Sequence, residues 1–164
     1  MGWKRKSSEK GHRRKFLVII DDTPECGRAV VYAAKRAERT NGGLVMLYII
    51  KPSEFQHWLG VEGVMRAEAY EQAESVLAKY QNVARDIAKI EPEKIIMEGV
   101  PNEVIAELIE EDEDIAILVL AASMEGEGPG PLIANFTRTM SSHFPIPMTI
   151  VPGDLSDDDI NALS

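Results

Sequence analysis

Short runs of apolar residues recur along the chain and alternate with longer segments whose apolar residues are spaced three or four positions apart. Uninterrupted runs of this length are typical of strands buried on both faces, whereas the wider spacing is typical of amphipathic helices. Strands that alternate with helices favour a five-stranded, parallel, doubly wound α/β sheet with helices on both faces. The predicted strands are residues 16–20, 44–50, 94–99, 115–121 and 147–152.

The helices are marked by signals at their ends as well as by their periodicity. Thr23 suits the N-cap position of the first helix and Pro24 its first helical position. Asn41 and the two glycines that follow it predict the end of that helix. The later helices are predicted over residues 64–88, from Pro101 onward, and over residues 131–142.

The net charge of −9 is distributed unevenly. Seven of the 18 bases but only one of the 27 acids lie in the first fifteen residues, so the remainder is strongly acidic. We interpret residues 1–14 as a basic, mobile N-terminal arm. The alternatives are that this arm contacts nucleic acid or an anionic membrane, or that it folds back onto the acidic body. The body, residues 15–153, is expected to repel nucleic acid and anionic membranes. Residues 154–164 are interpreted as an acidic tail that is disordered or weakly helical.

Cysteine usage and hydropathy bear on the compartment. Cys26 is the only cysteine, so no internal disulfide can form and a reducing environment is expected. No apolar run approaches the ~20 residues that span a bilayer. Arg13 and Arg14 resemble an export signal, but the apolar run behind them has only five residues and is closed by Asp21. We therefore predict a cytoplasmic protein with no membrane partner.

Residues 121–135, AASMEGEGPGPLIAN, lie between the fourth strand and the last helix, where α/β proteins often bind phosphate. Two glutamates in this segment add negative charge, two prolines each remove an N–H donor, and no lysine or arginine is present. These features favour a structural turn over a phosphate loop. A shifted register that uses Gly128, Gly130 and the helix N-terminus keeps the phosphate alternative open.

Other candidate chemistry is sparse. Cys26 lies in the first turn of a predicted helix close to three acids, so we interpret it as an inert, half-buried thiol. For Asp21, capping or hydration competes with ligand contact, and Asp22 is interpreted as structural. The three histidines share no predicted site and fit neither a catalytic triad nor zinc spacing. We predict no catalytic residue and no metal site.

Three segments together resemble one family. FLVIIDDTPEC, residues 16–26, is similar to the strand, aspartate and turn that open universal stress protein domains. Residues 97–123 are similar to the third strand, Gly-x-Pro turn, helix and fourth strand of those domains, and residues 140–153 to their closing helix and Pro-x-Pro edge strand. The likeness extends over residues 15–153, which is the whole predicted domain.

The resemblance implies a Rossmann-like fold of the adenine-nucleotide α-hydrolase type, homodimers formed through the last strand, and a non-enzymatic role in stress response. Family members that bind ATP carry a G-x2-G-x9-G-[S/T] pattern after strand four. Here that pattern falls on Ala121, Met124, Ala134 and Asn135, none of which matches, whereas Asp21 matches the aspartate after strand one. We therefore expect ATP binding to be lost or weak and no cofactor to be held. The alternative is AMP or ATP binding through a non-standard loop.

A hydrolase or transferase of the related type would need a phosphate loop after strand one, which residues 21–26 do not supply. An unidentified client protein is a further partner that a stress role implies. The expected dimer interface consists of Met148, Thr149, Ile150 and Val151. The residues expected around a nucleotide cleft are Asp21, Thr23, Ile50, Gly99, Ala121, Ser123, Gly128, Gly130 and Asn135.

Overall fold

Five strands form one sheet in this protein, for which a computed structural model describes residues 4–52, 62–124, 133–134 and 144–164. The strands are β1 (Lys15–Ile20), β2 (Gly43–Ile50), β3 (Glu93–Glu98), β4 (Ile115–Ala121) and β5 (Met148–Val151). Their order in the sheet is β3-β2-β1-β4-β5, and every neighbouring pair is parallel. The predicted five-stranded parallel sheet is therefore confirmed.

The central strand shows why both faces of the sheet must be covered. Phe16, Val18 and Ile20 point into one hydrophobic cluster, and Leu17 and Ile19 point into a second cluster on the opposite face. Successive side chains of a strand point to opposite faces, so a run that is apolar at every position needs a helical layer on each side.

Helices provide these two layers. They are α1 (Cys26–Arg39), α2 (Glu62–Ala88), α3 (Pro101–Glu111) and α4 (Asp157–Leu163). Apolar residues of α1 and α2 pack on one face, whereas α3 and Ile133 pack on the other. Of the helix predicted over residues 131–142, only residues 133 and 134 are described, and both are helical. The rest of that prediction lies outside the described residues.

The start of the first helix differs from the prediction. It begins at Cys26 with Glu25 in the N-cap position, and no side chain caps it. Thr23 is not the N-cap, because its N–H and hydroxyl both bond to Asp21 and hold the chain in a preceding turn. The end agrees with the prediction: α1 stops at Arg39, and Asn41 takes a left-handed conformation with φ 54°.

The acidic tail contains a helix, so of the two expectations for this segment the disordered one is wrong and the helical one agrees with the structure. The Ser156 hydroxyl accepts a hydrogen bond from the Asp159 N–H at 3.0 Å, and the Asp159 carboxylate accepts one from the Ser156 N–H at 3.2 Å. This reciprocal capping box starts α4. Ile160 is 0% exposed and α4 packs on α1, so tertiary burial supplies the stability that a seven-residue helix lacks alone.

The described part of the basic arm, residues 4–14, lies against the acidic turn after α3. The Arg5 Nη1 atom donates to the backbone oxygens of Asp112 and Ile115, both at 3.0 Å. The Lys6 side chain pairs with the Glu113 carboxylate at 2.6 Å, and the Lys6 backbone N–H donates to the Glu113 backbone oxygen. His12 Nδ1 lies 2.7 Å from a carboxylate oxygen of Asp114. These contacts correspond to the alternative in which the arm folds back onto the acidic body.

Candidate functional site

The sheet order places a crevice between two particular loops. β1 is hydrogen-bonded to β2 on one side and to β4 on the other, so the chain reverses its direction of winding between β1 and β4. In doubly wound sheets ligands bind beyond the carboxyl ends of the strands at such a switch point. The loop after β1, residues 21–25, and the start of the loop after β4, residues 122–124, border this crevice. The predicted location of the cleft follows from this topology.

Asp21 and Thr23 form the best-defined polar unit of the crevice. Asp21 Oδ1 accepts a hydrogen bond from the Thr23 N–H at 3.0 Å and a second from the Thr23 hydroxyl. This is an Asx-turn, in which a side chain replaces the backbone acceptor of a turn. The arrangement fixes the position of the Asp21 carboxylate at the end of β1. Both residues were predicted site residues, and the structure brings them together.

Cys26 lies beneath this turn and is closed to chemistry. Its side chain is buried, and its sulfur lies 3.9 Å from the Ile19 oxygen. Burial raises the pKa of the Cys26 thiol from the ordinary 9.0 to about 12. Burial likewise raises the pKa of the Tyr80 hydroxyl, with the neighbouring thiol adding to the effect. A thiol that stays protonated at neutral pH is a poor nucleophile, which agrees with the prediction of an inert cysteine. The prediction that Cys26 is half-buried is wrong, because only 3% of the residue is exposed.

Ile50 and Gly99 meet at the neighbouring end of the sheet, where β2 and β3 finish. The Gly99 N–H donates to the Ile50 oxygen at 3.0 Å, so this pair closes the ends of the two strands. Ile50 itself is buried. Gly99 has φ 149°, and a Cβ there would lie 2.7 Å from the Val104 side chain. The glycine of the Gly-x-Pro turn is thus required by backbone conformation and by packing against α3.

At the end of β4 the described residues reach as far as Met124. Ala121 and Ser123 are half-buried, and the Ala122 N–H donates to the Val151 oxygen at 2.8 Å. Ala134 is exposed in its helical segment. The remaining predicted cleft residues, Gly128, Gly130 and Asn135, lie outside the described residues. The structure therefore describes the whole of the loop after β1, but the loop after β4 only as far as Met124.

The charge around the crevice is negative. Asp21, Asp22 and Glu25 all lie in the loop after β1, and Glu25 is only 8% exposed. Four loops follow β1, β2, β3 and β4 at the carboxyl edge of the sheet: residues 21–24, 50–53, 98–101 and 121–130. They contain one base, Lys51, which is exposed. Within the described part of the chain, no group of three or more His, Cys, Asp or Glu side chains is arranged to hold a metal ion. In the same residues no helix is long and apolar enough to cross a membrane.

Sequence reasoning missed three contributors near this site. Glu25 was not singled out, and its burial depends on contacts that form only in the folded chain. Gly153 lies against both loops of the crevice, and no local pattern in the sequence predicts this contact. Arg28 binds the segment after β5 through the Leu155 oxygen at 3.1 Å and Asp157 at 2.7 Å. None of these three residues has a local signal in the sequence. The helix that follows the segment bound by Arg28, α4, does have one, because Ser156 and Asp159 have the spacing of a capping box.

The sheet and its helices define a Rossmann-type α/β protein whose topological switch point lies between β1 and β4. The model of the Universal stress protein family matches residues 12–152, so the chain belongs to this family. A universal stress protein of Mycobacterium tuberculosis strain H37Rv is 25% identical over 139 residues, which cover 83% of this chain and 46% of the relative. The chain thus spans about half the length of the curated relatives that it matches.

Solved structures of low sequence identity share the fold. Universal stress protein UspA from Lactobacillus plantarum aligns with a TM-score of 0.69 at 19% identity, over 84% of this chain and 97% of the other. The universal stress protein from Archaeoglobus fulgidus in complex with dAMP aligns with a TM-score of 0.61 at 13% identity, over 84% and 97% of the two chains. A universal stress protein in complex with cAMP aligns with a TM-score of 0.60 at 20% identity, over 86% and 98%.

Proposed function

We propose that this chain is a non-enzymatic stress-response protein of the cytoplasm, active as a homodimer, in which ATP binding is lost or weak. The observation that carries the proposal is the chemistry of the phosphate side of the crevice. All four positions of the ATP motif, Ala121, Met124, Ala134 and Asn135, carry other residues. The same segment contains two glutamates and no base.

Electrostatics argue in the same direction. A carboxylate within several ångström of a phosphate costs on the order of 1 kcal/mol even when solvent screens the pair. Glu125 and Glu127 in the loop after β4, together with the acids in the loop after β1, would oppose each added phosphate. No lysine or arginine of the glycine-rich segment offsets this charge. A triphosphate should therefore bind less well than a nucleoside.

The homodimer is proposed to form through β5. This strand is hydrogen-bonded to β4 on one side, and its centre, MTIV, is apolar and uncharged. Ile150 is 43% exposed on it. An uncharged edge strand with an exposed apolar side chain favours pairing with another strand, and a second copy offers the same surface.

Isothermal titration with ATP and Mg²⁺ tests the loss of ATP binding. We expect no heat of binding for the natural sequence below about 1 mM ligand. A variant that restores the motif, Ala121→Gly, Met124→Gly, Ala134→Gly and Asn135→Ser, should bind ATP at least about tenfold more tightly. Adding Asp21→Ala to that variant is the matched control and should remove the gain. Micromolar binding of ATP by the natural sequence would contradict the proposal.

A second candidate is an adenine-nucleotide-binding stress protein with a non-standard phosphate loop. Two observations favour it: the Asp21 carboxylate is fixed at the end of β1, and two solved structures of the same fold hold the monophosphates cAMP and dAMP. In this version an adenine amino group would donate to Asp21, and affinity should fall from adenosine to AMP to ATP. An affinity that rises with phosphate number would contradict it, and no binding of any member of the series would leave the first proposal standing.

A further inference from the structure

The chain continues past β5 and crosses to the other side of the crevice. Residues 153–163 lie beyond the segment that the family model matches. This continuation starts after Val151, the last residue of β5, whose oxygen accepts a hydrogen bond from the Ala122 N–H just after β4. It ends in α4, whose Ile160 is buried while α4 packs on α1. We call residues 152–163 the strap.

Gly153 is the point at which the strap meets both loops of the crevice. A Cβ placed on it would lie 2.4 Å from the Ala122 oxygen and 2.8 Å from Met124 Cγ, both in the loop after β4. The same Cβ would lie 3.1 Å from Glu25 Cβ, in the loop after β1. The bare backbone of Gly153 therefore fits between the two loops, and no larger residue could take its place without moving one of them.

The other end of the strap is held mainly by polar contacts with bases of α1. Arg28 donates to the Leu155 oxygen and pairs with Asp157 at 2.7 Å. Arg39 donates to the Asn161 oxygen at 2.8 Å and Lys35 to the Asn161 side chain at 3.0 Å. Partly exposed pairs of this kind hold weakly, and they weaken further as salt is added. Ile160 is the fully buried apolar anchor.

We propose that the strap holds the loops after β1 and β4 together, and that release of α4 from α1 opens the crevice. A seven-residue helix is not stable alone, so α4 is either docked and helical or released and unfolded. Local opening of such a unit requires far less free energy than unfolding the sheet. Once α4 is released from α1, the strap no longer holds Gly153 between the two loops. Glu25 in the loop after β1 is then no longer connected through Gly153 to Ala122 in the loop after β4. This inference goes beyond the proposed function, because it does not depend on the ligand.

Hydrogen exchange of the full chain tests the strap with Ile160→Asp, which removes the buried anchor. The matched control is Leu163→Asp, the same change at a position of α4 that is 65% exposed. We expect amides of residues 21–25 and 122–124 to exchange at least about tenfold faster in the first variant, with β1 and β2 unchanged and the control equal to the natural sequence. If α4 loses protection while the two loops keep theirs, or if both variants behave alike, the proposal is overturned.

A second pair of variants keeps the proposal testable if Ile160→Asp unfolds the whole domain. Asp157→Lys breaks the pair with Arg28, whereas Asp158→Lys makes the same charge change on a neighbouring exposed residue. Faster exchange of the two crevice loops should follow only from Asp157→Lys, and equal effects would overturn the proposal. Since the measurement uses no nucleotide, its outcome is separate from the outcome of the ATP titrations.

Discussion

Thr23 donates both its backbone N–H and its hydroxyl to a single carboxylate oxygen of Asp21. This relationship makes Asp21 the organiser of the turn that leads from β1 to α1, which is a structural task. It also fixes the carboxylate at the switch point of the sheet, where a ligand of this fold would meet it. The structural role of Asp21, which is to hold the turn and not to cap the helix, is thus compatible with ligand contact, and stability measurements can address the structural role separately.

Removing the Asp21 carboxylate should destabilise the domain. Asp21→Ala loses both hydrogen bonds from Thr23, and we expect a loss of about 1–2 kcal/mol in the free energy of unfolding. Asp21→Asn keeps an acceptor oxygen and should lose less. Thr23→Val removes only the hydroxyl bond and should also lose less than Asp21→Ala. Urea unfolding measures all three, and an unchanged midpoint for Asp21→Ala would show that the turn does not depend on this carboxylate.

Stability should fall at alkaline pH because of the buried thiol. The pKa of Cys26 is raised to about 12 in the folded state, above the ordinary 9.0, so the folded state favours the protonated form. The stabilisation is complete below pH 9 and is lost as pH rises from 9 towards 12, by at most about 1.4 kcal/mol per pH unit. Urea midpoints between pH 7 and about 10.5 measure the slope.

Cys26→Ala is the control for this prediction. Tyr80, whose pKa is also raised, remains in both proteins, so the difference between their pH profiles reports mainly the thiol. The natural sequence should show the steeper decline above pH 9. Parallel profiles would contradict the raised pKa. Alkylation of native Cys26 near neutral pH should likewise be slower by orders of magnitude than alkylation of the unfolded chain.

Two glycines should respond to alanine in opposite directions. A Cβ on Gly42 would lie 2.5 Å from the Arg14 backbone oxygen, so Gly42→Ala should lower the free energy of unfolding by about 2 kcal/mol. Nothing lies within 4 Å of a Cβ on Gly63, at the exposed start of α2. Gly63→Ala should raise stability by about 0.5–1 kcal/mol, because it reduces the entropy of the unfolded chain. Thermal unfolding of both variants measures these changes. A change in stability of the same sign in both variants would contradict the packing described for the two glycines.

The β5 interface should be sensitive to charge. Ile150→Lys places a charge at the centre of the exposed edge, and we expect it to convert a dimer to a monomer in light scattering. Val100→Lys is the control, since Val100 is a more exposed apolar residue at the N-cap of α3 and lies outside β5. Ile150→Pro should act like Ile150→Lys. The Pro147 and Val151 oxygens face β4, so the backbone of Ile150 faces the open edge, and proline removes the N–H that a partner strand would use there. A dimer that persists in both variants would place the interface elsewhere.

Most of the fold could be predicted because its signals are local. The run from Phe16 to Ile20 is apolar at every position, which only a strand covered on both faces accommodates. Asn41 ends α1 in a left-handed conformation that few other residues adopt, and Gly42 leaves room for the Arg14 backbone oxygen. The start of α1 was placed too early, since Thr23 has the residue type of an N-cap and only the bond to Asp21 reveals its actual role. The Thr23 hydroxyl could bond either to the backbone at the start of a helix or to the Asp21 carboxylate, and a local sequence pattern does not distinguish these two partners.

The sequence by itself determined the number of strands and the parallel, doubly wound type of the sheet. It also determined the loops after β1 and β4 as the expected place of the crevice, and the acidic, donor-poor composition of the loop after β4. Each of these depends on residue types and on their spacing along the chain. Only the tertiary structure decided that Arg5 lies against the turn after α3, that Ile160 is buried, and that Gly153 separates Ala122 from Glu25. These contacts join residues that are far apart in sequence. Their formation depends on the shape and charge of surfaces that exist only once the sheet and its helices have assembled.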